Sequence, residues 1–387
     1  MVDIGNYIVG PYNGSFYATL SVTFYNITTT PSVPPPDEII PLSKCTQENG
    51  VSVSTYFNLP NDTATISVLI PDSSSIVVLE LFASGNADEE FWYTNTPNEY
   101  LNTFAAWNVS LLGDGPFREV LVHIDDQVVG SIQPFEIVFT GGINPGFWER
   151  IVGHRTFDLP AYQVDLTPFL DILRGSRHTI KFSMRGEPNI LQNWYVSGHL
   201  KIWYSKSSAP CTSNKPPSFN KESTSITTIG KVSTDNTSFS VTTLASRHGP
   251  YSFDFENQQF YRLSNNGSTL FSPVSQTTYF NSPLSRGYFI FTLDIVETDF
   301  PDGSISLNAS LSQIFHKYST NVIDGSISLE HAEVSTFGSF AFWAKTNTTF
   351  TDGKTSVMLS YTTPSRKYVR NVRAIGTQIV SDYEIDQ

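Results

Sequence analysis

Three consecutive acids form the densest cluster of side chains able to do acid–base chemistry. Asp88, Glu89 and Glu90 directly follow a strand-like apolar run, and Trp92 and Tyr93 come next. Carboxylates beside an aromatic wall are typical of sites that bind a sugar and activate a water molecule. In an extended segment Asp88 and Glu90 would share a face, and Glu89 would point away from them. A solvated turn is the alternative interpretation, because charge runs in turns usually lie at the surface.

A second cluster surrounds a predicted hairpin. Arg118 and Glu119 precede the strand Val120–Ile124, and Asp125 begins the turn that leads to the strand Val128–Ile132. Neighbouring residues of a strand face opposite ways, so at most one of Arg118 and Glu119 points into a site. Aspartate is also common in turns because it forms local hydrogen bonds, and this is the alternative reading of Asp125.

A third cluster follows a pair of glycines. Gly141 and Gly142 allow a positive φ or the close approach of a ligand. Trp148, Glu149 and Arg150 then offer a stacking surface, an acid and a cation. The pattern does not predict a phosphate-binding loop, because neither a Lys-Ser/Thr pair nor a helix follows the glycines.

Charge and residue spacing exclude several classes of function. The 387 residues include 23 Lys and Arg against 36 Asp and Glu, a net charge of −13. Nucleic acid is therefore excluded as a partner, because phosphate binding needs clustered cations. The 7 histidines form no His-x-His or His-x-x-x-His pair, so no metal site is expected. No apolar run approaches the about 20 residues of a membrane helix, and no Gly-x-Ser-x-Gly elbow of an α/β hydrolase is present.

Cysteines and glycosylation sequons bear on the compartment of the protein. Cys45 and Cys211 would form one long-range disulfide in an oxidising compartment, or remain two thiols. Asn-x-Ser/Thr sequons mildly favour a secretory route. They occur at Asn13, Asn26, Asn61, Asn108, Asn236, Asn266, Asn308 and Asn347.

The elements that must position these residues are strands. Apolar and polar residues alternate with period two in most segments, which predicts half-buried antiparallel strands. The clearest segments, besides that of the hairpin, are Phe16–Tyr25, Ala64–Ile70, Val77–Phe82 and Thr179–Met184. One short helix is predicted over Leu166–Leu173, with Thr167 as N-cap, Pro168 at its first position and Gly175 as its stop. We expect an all-β protein made of antiparallel, jelly-roll-like β-sandwich domains in tandem.

Composition predicts where these domains divide. Residues 206–250 are rich in Ser, Thr, Lys and Pro and contain few large apolar residues. This composition indicates a linker. We therefore expect a first β-sandwich domain over 1–205 and a second over 251–387.

Two motifs give the sequence a family resemblance. Glu-Glu-Phe-Trp-Tyr-Thr-Asn runs from Glu89 to Asn95, and Phe-Thr-Gly-Gly-Ile-Asn-Pro runs from Phe139 to Pro145. With them, residues 10–205 resemble the peptide-N4-(N-acetyl-β-glucosaminyl)asparagine amidase A family, the acid-type peptide:N-glycanases of plants and fungi. The sequence departs from that family at Phe117, where members often have Cys, and at Glu149-Arg150, where they tend to have Arg-Pro. Members also carry a further stretch before Phe16–Tyr25, so the sequence is expected to be a fragment, inactive if that stretch holds catalytic residues.

The resemblance implies hydrolysis of the amide that joins the innermost N-acetylglucosamine to Asn, which leaves Asp on the peptide and releases a glycosylamine. N-glycosylated peptides or proteins would be the partners, and carboxylates would suffice without a metal or cofactor. The catalytic pair would be Glu90 with Asp88 or Glu89, and Arg118 or Glu119 would form a second wall. Sugar contacts are expected from Trp92, Tyr93, Asn95, Asp125 and Trp148. The resemblance also implies an extracellular or vacuolar location.

Two other functions fit the same residues. A β-sandwich can bind glycans without cleaving them, since a fold does not determine a function. A glycoside hydrolase would need two carboxylates about 5–9.5 Å apart across a cleft. A close carboxylate pair in a pocket would favour the amidase over the binding module.

Overall fold

The computed structural model describes residues 14, 17, 19, 21–23, 34–48, 51–105, 110–139, 142–148, 153–205, 224–235, 237–248, 254–265 and 269–387. Half of the residues of the predicted strand Phe16–Tyr25 lie outside these residues. Among those described, no helix is long and apolar enough to span a membrane.

The all-β prediction is confirmed, and every strand pairing between the named strands is antiparallel. The described strands are β1 (Glu38–Pro41), β2 (Cys45–Glu48), β3 (Val51–Ser54), β4 (Phe57–Leu59), β5 (Thr65–Leu69), β6 (Ser74–Gly85), β7 (Glu119–Ile124), β8 (Gln127–Ile132), β9 (Tyr162–Asp165), β10 (Arg177–Arg185), β11 (Trp194–Tyr204), β12 (Ser225–Val232), β13 (Ser238–Arg247), β14 (Asp254–Asn265), β15 (Thr269–Asn281), β16 (Ser285–Asp299), β17 (Ile305–Thr320), β18 (Ile327–Trp343), β19 (Thr348–Thr363), β20 (Arg366–Ile375) and β21 (Gln378–Asp386). Strands β5, β6, β7 and β10 cover the remaining segments with period-two alternation.

Two sheets of the first half share one core. The first has the order β1-β11-β6-β9, with β4 also paired to β11, and the second has the order β5-β10-β7-β8. Leu79 and Leu200 of the first sheet and Val122 and Ile180 of the second are fully buried in the same hydrophobic cluster. The alternation of apolar residues in these strands produces this arrangement, since it gives each sheet one face to bury.

A ten-stranded antiparallel meander, β12 to β21 in chain order, forms the rest of the described chain. Its residues Val241, Phe291 and Leu311 belong to the same hydrophobic cluster as the sandwich. The described part of 251–387 is therefore one sheet packed on the first half, and not a second sandwich.

The predicted linker 206–250 also needs correction, because β12 and β13 lie within it. Strand β13 is rich in Ser and Thr, but Phe239, Val241 and Ala245 alternate with them and are buried. Composition suggested a linker here because Ser and Thr outnumber the apolar residues of this strand, although most of them lie on its outer face.

The one predicted helix is present, and its cap differs from the prediction. A 3-10 turn over Thr167–Phe169 leads into α1 (Leu170–Leu173), and Gly175 follows at φ +77°. Thr167 lies inside the turn, and its backbone N–H donates to Oδ1 of Asp165 at 2.9 Å. Asp165 therefore accepts from the N–H of Thr167 itself, and the side chain of Thr167 does not cap the helix as expected.

Candidate functional site

The acidic segment is a tight turn, which corrects the extended geometry expected for it. Strand β6 ends at Gly85, and Ala87–Glu89 form a 3-10 turn that folds back over this glycine. A Cβ at Gly85 would lie 2.2 Å from the backbone oxygen of Glu89, so a side chain there has no room. The turn leaves Asp88 exposed, buries Glu89 completely and leaves Glu90 half-buried.

Glu89 is fully occupied by structural contacts. Nε and Nη2 of Arg118 donate to its two carboxylate oxygens at 2.6 and 2.8 Å, and both side chains are 0% exposed. Leu191 N and Trp194 Nε1 donate to the same carboxylate, each at 2.6 Å. Arg118 gives its remaining hydrogen bonds to the backbone oxygens of Asp114, Gly115 and Phe117. These hydrogen bonds show that the ion pair fixes the acidic turn, and neither of its side chains is accessible to solvent.

Glu119 points the other way from Arg118, as the strand alternation predicted. Its buried carboxylate accepts hydrogen bonds from Ser131 Oγ at 2.6 Å, Thr224 Oγ1 at 2.8 Å and Arg247 Nε at 2.9 Å. These contacts join β7 and β8 to β13 of the ten-stranded sheet. Glu119 thus serves the packing of the two halves.

Two buried polar groups close to the acidic turn have no such partners. The hydroxyl of Tyr93 and both carboxyl oxygens of Glu136 form no hydrogen bond within the described chain. Burial raises the pKa of Glu136 to about 8. Burial first, and then the charges of Glu136 and Glu90, raise the pKa of Tyr93 well above its usual value. Buried groups without partners and with raised pKa values are typical of functional sites.

The other predicted sugar contacts differ in how accessible they are. Trp92 is 3% exposed and packs on Tyr93 and Trp194, so it is part of the core. Asn95 is 1% exposed, and neither its amide oxygen nor its amide nitrogen has a hydrogen-bond partner in the described residues. Trp148 is 68% exposed and offers an accessible aromatic surface.

Asp125 lies in the turn between β7 and β8, as predicted, and is held there by β10. Its Oδ2 lies 2.5 Å from His178 Nδ1, and the Nε2 of that ring lies 2.7 Å from Ser176 Oγ. Its Oδ1 accepts from the backbone N–H of Thr179 at 2.9 Å. The order Ser-His-Asp resembles a catalytic triad, but the serine and aspartate are exposed and water competes for the same bonds. We interpret the three residues as a clamp on the turn.

The two sequence motifs meet next to the acidic turn. A Cβ at Gly142 would lie 3.2 Å from the ring of Phe91, so the glycine lets the second motif pack on the first. Asn144 is fully buried, and its Nδ2 donates to the backbone oxygens of Leu307 and Gly338 at 3.0 and 3.1 Å. Asn144 Oδ1 also accepts from Gly146 N at 2.7 Å. The second motif thus anchors this part of the chain to the ten-stranded sheet.

Glu136 is the residue that the sequence analysis did not select. It stands alone among apolar residues in the run Phe135–Val138, and Phe135 packs against Phe289 and Phe315 of the ten-stranded sheet. A single acid inside an otherwise apolar strand-like run was the available signal, because such an acid is rarely buried without a partner.

The cysteine and sequon predictions can be placed only in part. Cys45 is exposed, and Cys211 lies outside the described residues. Asn13, Asn26, Asn108, Asn236 and Asn266 also lie outside them, as do Glu149 and Arg150. Asn61 and Asn347 are exposed, whereas Asn308 is half-buried and accepts from Ser339 Oγ at 2.8 Å.

Comparison with known proteins places the chain in a family. Residues 1–221, more than half of the chain, match the family model "Peptide N-acetyl-beta-D-glucosaminyl asparaginase amidase A". The chain is 37% identical over 224 residues to the peptide-N4-(N-acetyl-beta-glucosaminyl)asparagine amidase A of Prunus dulcis. This match covers 54% of the chain and 38% of that protein, so the chain spans less than two thirds of its relative. No solved structure matches. Since both motifs, the acidic turn and Glu136 lie in the matched region, the resemblance is confirmed and the chain belongs to the amidase A family.

Proposed function

We propose that this protein hydrolyses the amide bond between N-acetylglucosamine and asparagine in N-glycosylated peptides or proteins. Membership of the amidase A family supports the reaction class. The observation that carries the proposal to a site is that the Tyr93 hydroxyl and the Glu136 carboxyl are buried without hydrogen-bond partners in the described residues, and that the charges of Glu136 and Glu90 help to raise the pKa of Tyr93. Amide hydrolysis needs a base for the water and a proton for the leaving nitrogen, and carboxyl groups in different environments can supply both.

Glu90 would be the base in this reaction, because it is the half-exposed acid of the turn. It would orient and deprotonate the attacking water, and Asp88 would be the second accessible carboxylate of the turn. Attack of that water on the amide carbon would break the C–N bond, and the proton taken up by Glu90 would pass to the leaving nitrogen, so that a glycosylamine is released and Asp is left on the peptide. Trp148 would stack on a sugar ring, as its exposed indole allows.

Glu136 would act as a positioning residue behind Tyr93, because at 1% exposure it does not face the solvent. Its raised pKa of about 8 means that it keeps its proton in acidic and neutral solution. A neutral Glu136 places no negative charge behind the Tyr93 hydroxyl.

We also propose a cellular compartment for the protein. Asn61 and Asn347 are exposed sequons and would accept glycans in the secretory pathway. Asn308 would be a poor acceptor, because its side chain is half-buried in β17. An extracellular or vacuolar location would follow.

The proposed reaction is tested by incubating a defined N-glycopeptide with the protein at acidic pH and measuring the masses of the products by mass spectrometry. The expected product is the deglycosylated peptide with Asp in place of Asn. An N-acetylglucosamine stub left on Asn would instead assign a glycosidase. An intact glycopeptide that stays bound would support the second candidate, a glycan-binding protein, which the exposed Trp148 also fits.

A further inference from the structure

Two histidines meet on the outer face of the ten-stranded sheet, far along the sequence from the acidic turn. Phe315 and Ala332 are buried between the sheet and the first half. Neighbouring residues of a strand face opposite ways, so the residue after Phe315 in β17 and the residue before Ala332 in β18 face outward. These are His316 and His331, which are directly opposite each other in the register of β17 and β18. His331 retains 21% of its side-chain exposure.

The spacing of their nitrogens matches that of two ligands on one metal ion. Nδ1 of His316 lies 3.2 Å from Nδ1 of His331. Two imidazole nitrogens bound tetrahedrally to Zn²⁺, each at about 2.0–2.1 Å, would be about 3.3 Å apart. The side chains therefore need to move little to share an ion.

Both rings are also held in orientation by their neighbours. Nε2 of His331 lies 3.2 Å from Oε1 of Glu333, and a proton held there leaves the lone pair on Nδ1. Carboxylates commonly orient metal-binding histidines in this way. Tyr288 stacks on the His316 ring at 5.0 Å and 11°, and Tyr318 meets the same ring edge-on at 5.1 Å.

We propose that His316 and His331 form a two-histidine site for Zn²⁺, separate from the acidic turn and its chemistry. Each imidazole would bind through Nδ1, with the proton of each ring on Nε2. In the described part of the chain no group of three or more His, Cys, Asp and Glu is arranged to hold a metal. Water or a ligand from outside the described chain would therefore fill the remaining positions, which makes the site an open one.

Titration of the full chain with Zn²⁺ by calorimetry tests this proposal. We expect one zinc ion per chain, and at least tenfold weaker binding in each of His316→Gln and His331→Gln. Glu333→Gln should weaken binding by about tenfold or more, as loss of an orienting carboxylate does elsewhere. His248→Gln is the matched control, because its side chain is 70% exposed and lies outside the pair. That variant should bind zinc as the parent does.

Co²⁺ provides a second readout that does not depend on affinity alone. Tetrahedral nitrogen coordination should give visible absorption bands in the parent that both histidine variants lose. Circular dichroism and the melting temperature without metal would show whether the variants fold. The proposal would be overturned if folded variants bound zinc with the parent affinity, or if the parent bound no zinc. The two histidines would then form only a cross-strand hydrogen bond.

Discussion

The two buried acids Glu89 and Glu136 have opposite roles because their hydrogen-bond partners differ. Glu89 is surrounded by donors that satisfy both of its oxygens. Glu136 has no donor for either oxygen in the described chain and holds its proton instead. A buried carboxyl either ionises against a cation or stays neutral. Here the carboxyl of Glu89 has a structural role, and the carboxyl of Glu136 is available for function.

Removal of one partner of the Glu89–Arg118 pair should destabilise the protein strongly. Arg118→Met leaves the Glu89 carboxylate buried without its cation, which typically costs about 3–5 kcal/mol of the free energy of unfolding. Urea unfolding followed by tryptophan fluorescence measures this loss. Asp88→Asn, one residue away and exposed, should change the free energy by less than about 0.5 kcal/mol. Equal effects of the two variants would contradict the structural role of the pair.

Glu136 should make stability depend on pH. Its carboxyl keeps its proton to about pH 8 in the native state, whereas the unfolded chain loses that proton near the ordinary glutamate pKa of 4.5. Between these pH values unfolding releases a proton, so the contribution to stability is full below about pH 4.5 and falls as pH rises towards 8. The slope approaches about 1.4 kcal/mol per pH unit.

Glu136→Gln should remove this dependence while it preserves the shape of the side chain. Denaturant unfolding of parent and variant at pH 5 and pH 7.5 measures the difference directly. We expect the variant to gain stability relative to the parent at the higher pH. A difference in free energy that is the same at both pH values would show that Glu136 is ionised in the native protein.

At the scale of elements, the anchor formed by the second motif should tolerate almost no change. Gly146 packs so closely that an added Cβ would lie 2.5 Å from Asp352 O and 2.6 Å from Ser339 N. These are backbone atoms of β18 and β19, so Gly146→Ala must push the anchor off the sheet. Asn144→Ala would leave buried carbonyl groups unpaired at a cost of about 1–3 kcal/mol each.

Thermal unfolding checks this prediction, with Gly14→Ala as the control because a Cβ there meets nothing within 4 Å. Both anchor variants should melt clearly below the parent, and the control should melt with it. An anchor variant that melts at the parent temperature would mean that the motif packs on the sheet in another way.

The sequence predicted several strands correctly but missed a turn and a contact between two strands. Period-two alternation located β5, β6, β7 and β10, because one face of each strand is buried and the other is solvated. It missed the 3-10 turn at Ala87–Glu89, where the burial of Glu89 depends on Arg118, 29 residues away. The pairing of His316 with His331 likewise depends on strand register, which spacing along the sequence does not reveal.

At the scale of the whole molecule, the two halves should unfold as one unit. They share a hydrophobic cluster and buried polar contacts, among them Glu119 with Arg247 and Arg155 with Glu330. A fragment of residues 1–205 would expose the face that Phe291 and Leu311 now cover. We predict a single calorimetric transition for the full chain and, for the fragment, a lower melting temperature and binding of the dye ANS.

Two separate transitions, or a fragment that melts as the full chain does, would restore the independent domains expected from composition. The match to the amidase A family ends at residue 221, before the first strand of the ten-stranded sheet. The sheet would then be an appendage, and the contacts across the interface would contribute little to stability.

The most direct test of the central claim is the rate of glycan release from a defined N-glycopeptide by the parent, Glu90→Gln and Glu99→Gln. Glu99 is an exposed acid in the nearby turn Asn98–Tyr100 and serves as the matched control. The Asp peptide is measured by mass spectrometry. We expect the parent and Glu99→Gln to produce it, and Glu90→Gln to produce it at least about 100-fold more slowly. Glu90→Gln should melt at the parent temperature. Full activity of Glu90→Gln would contradict the assignment of Glu90 as the base.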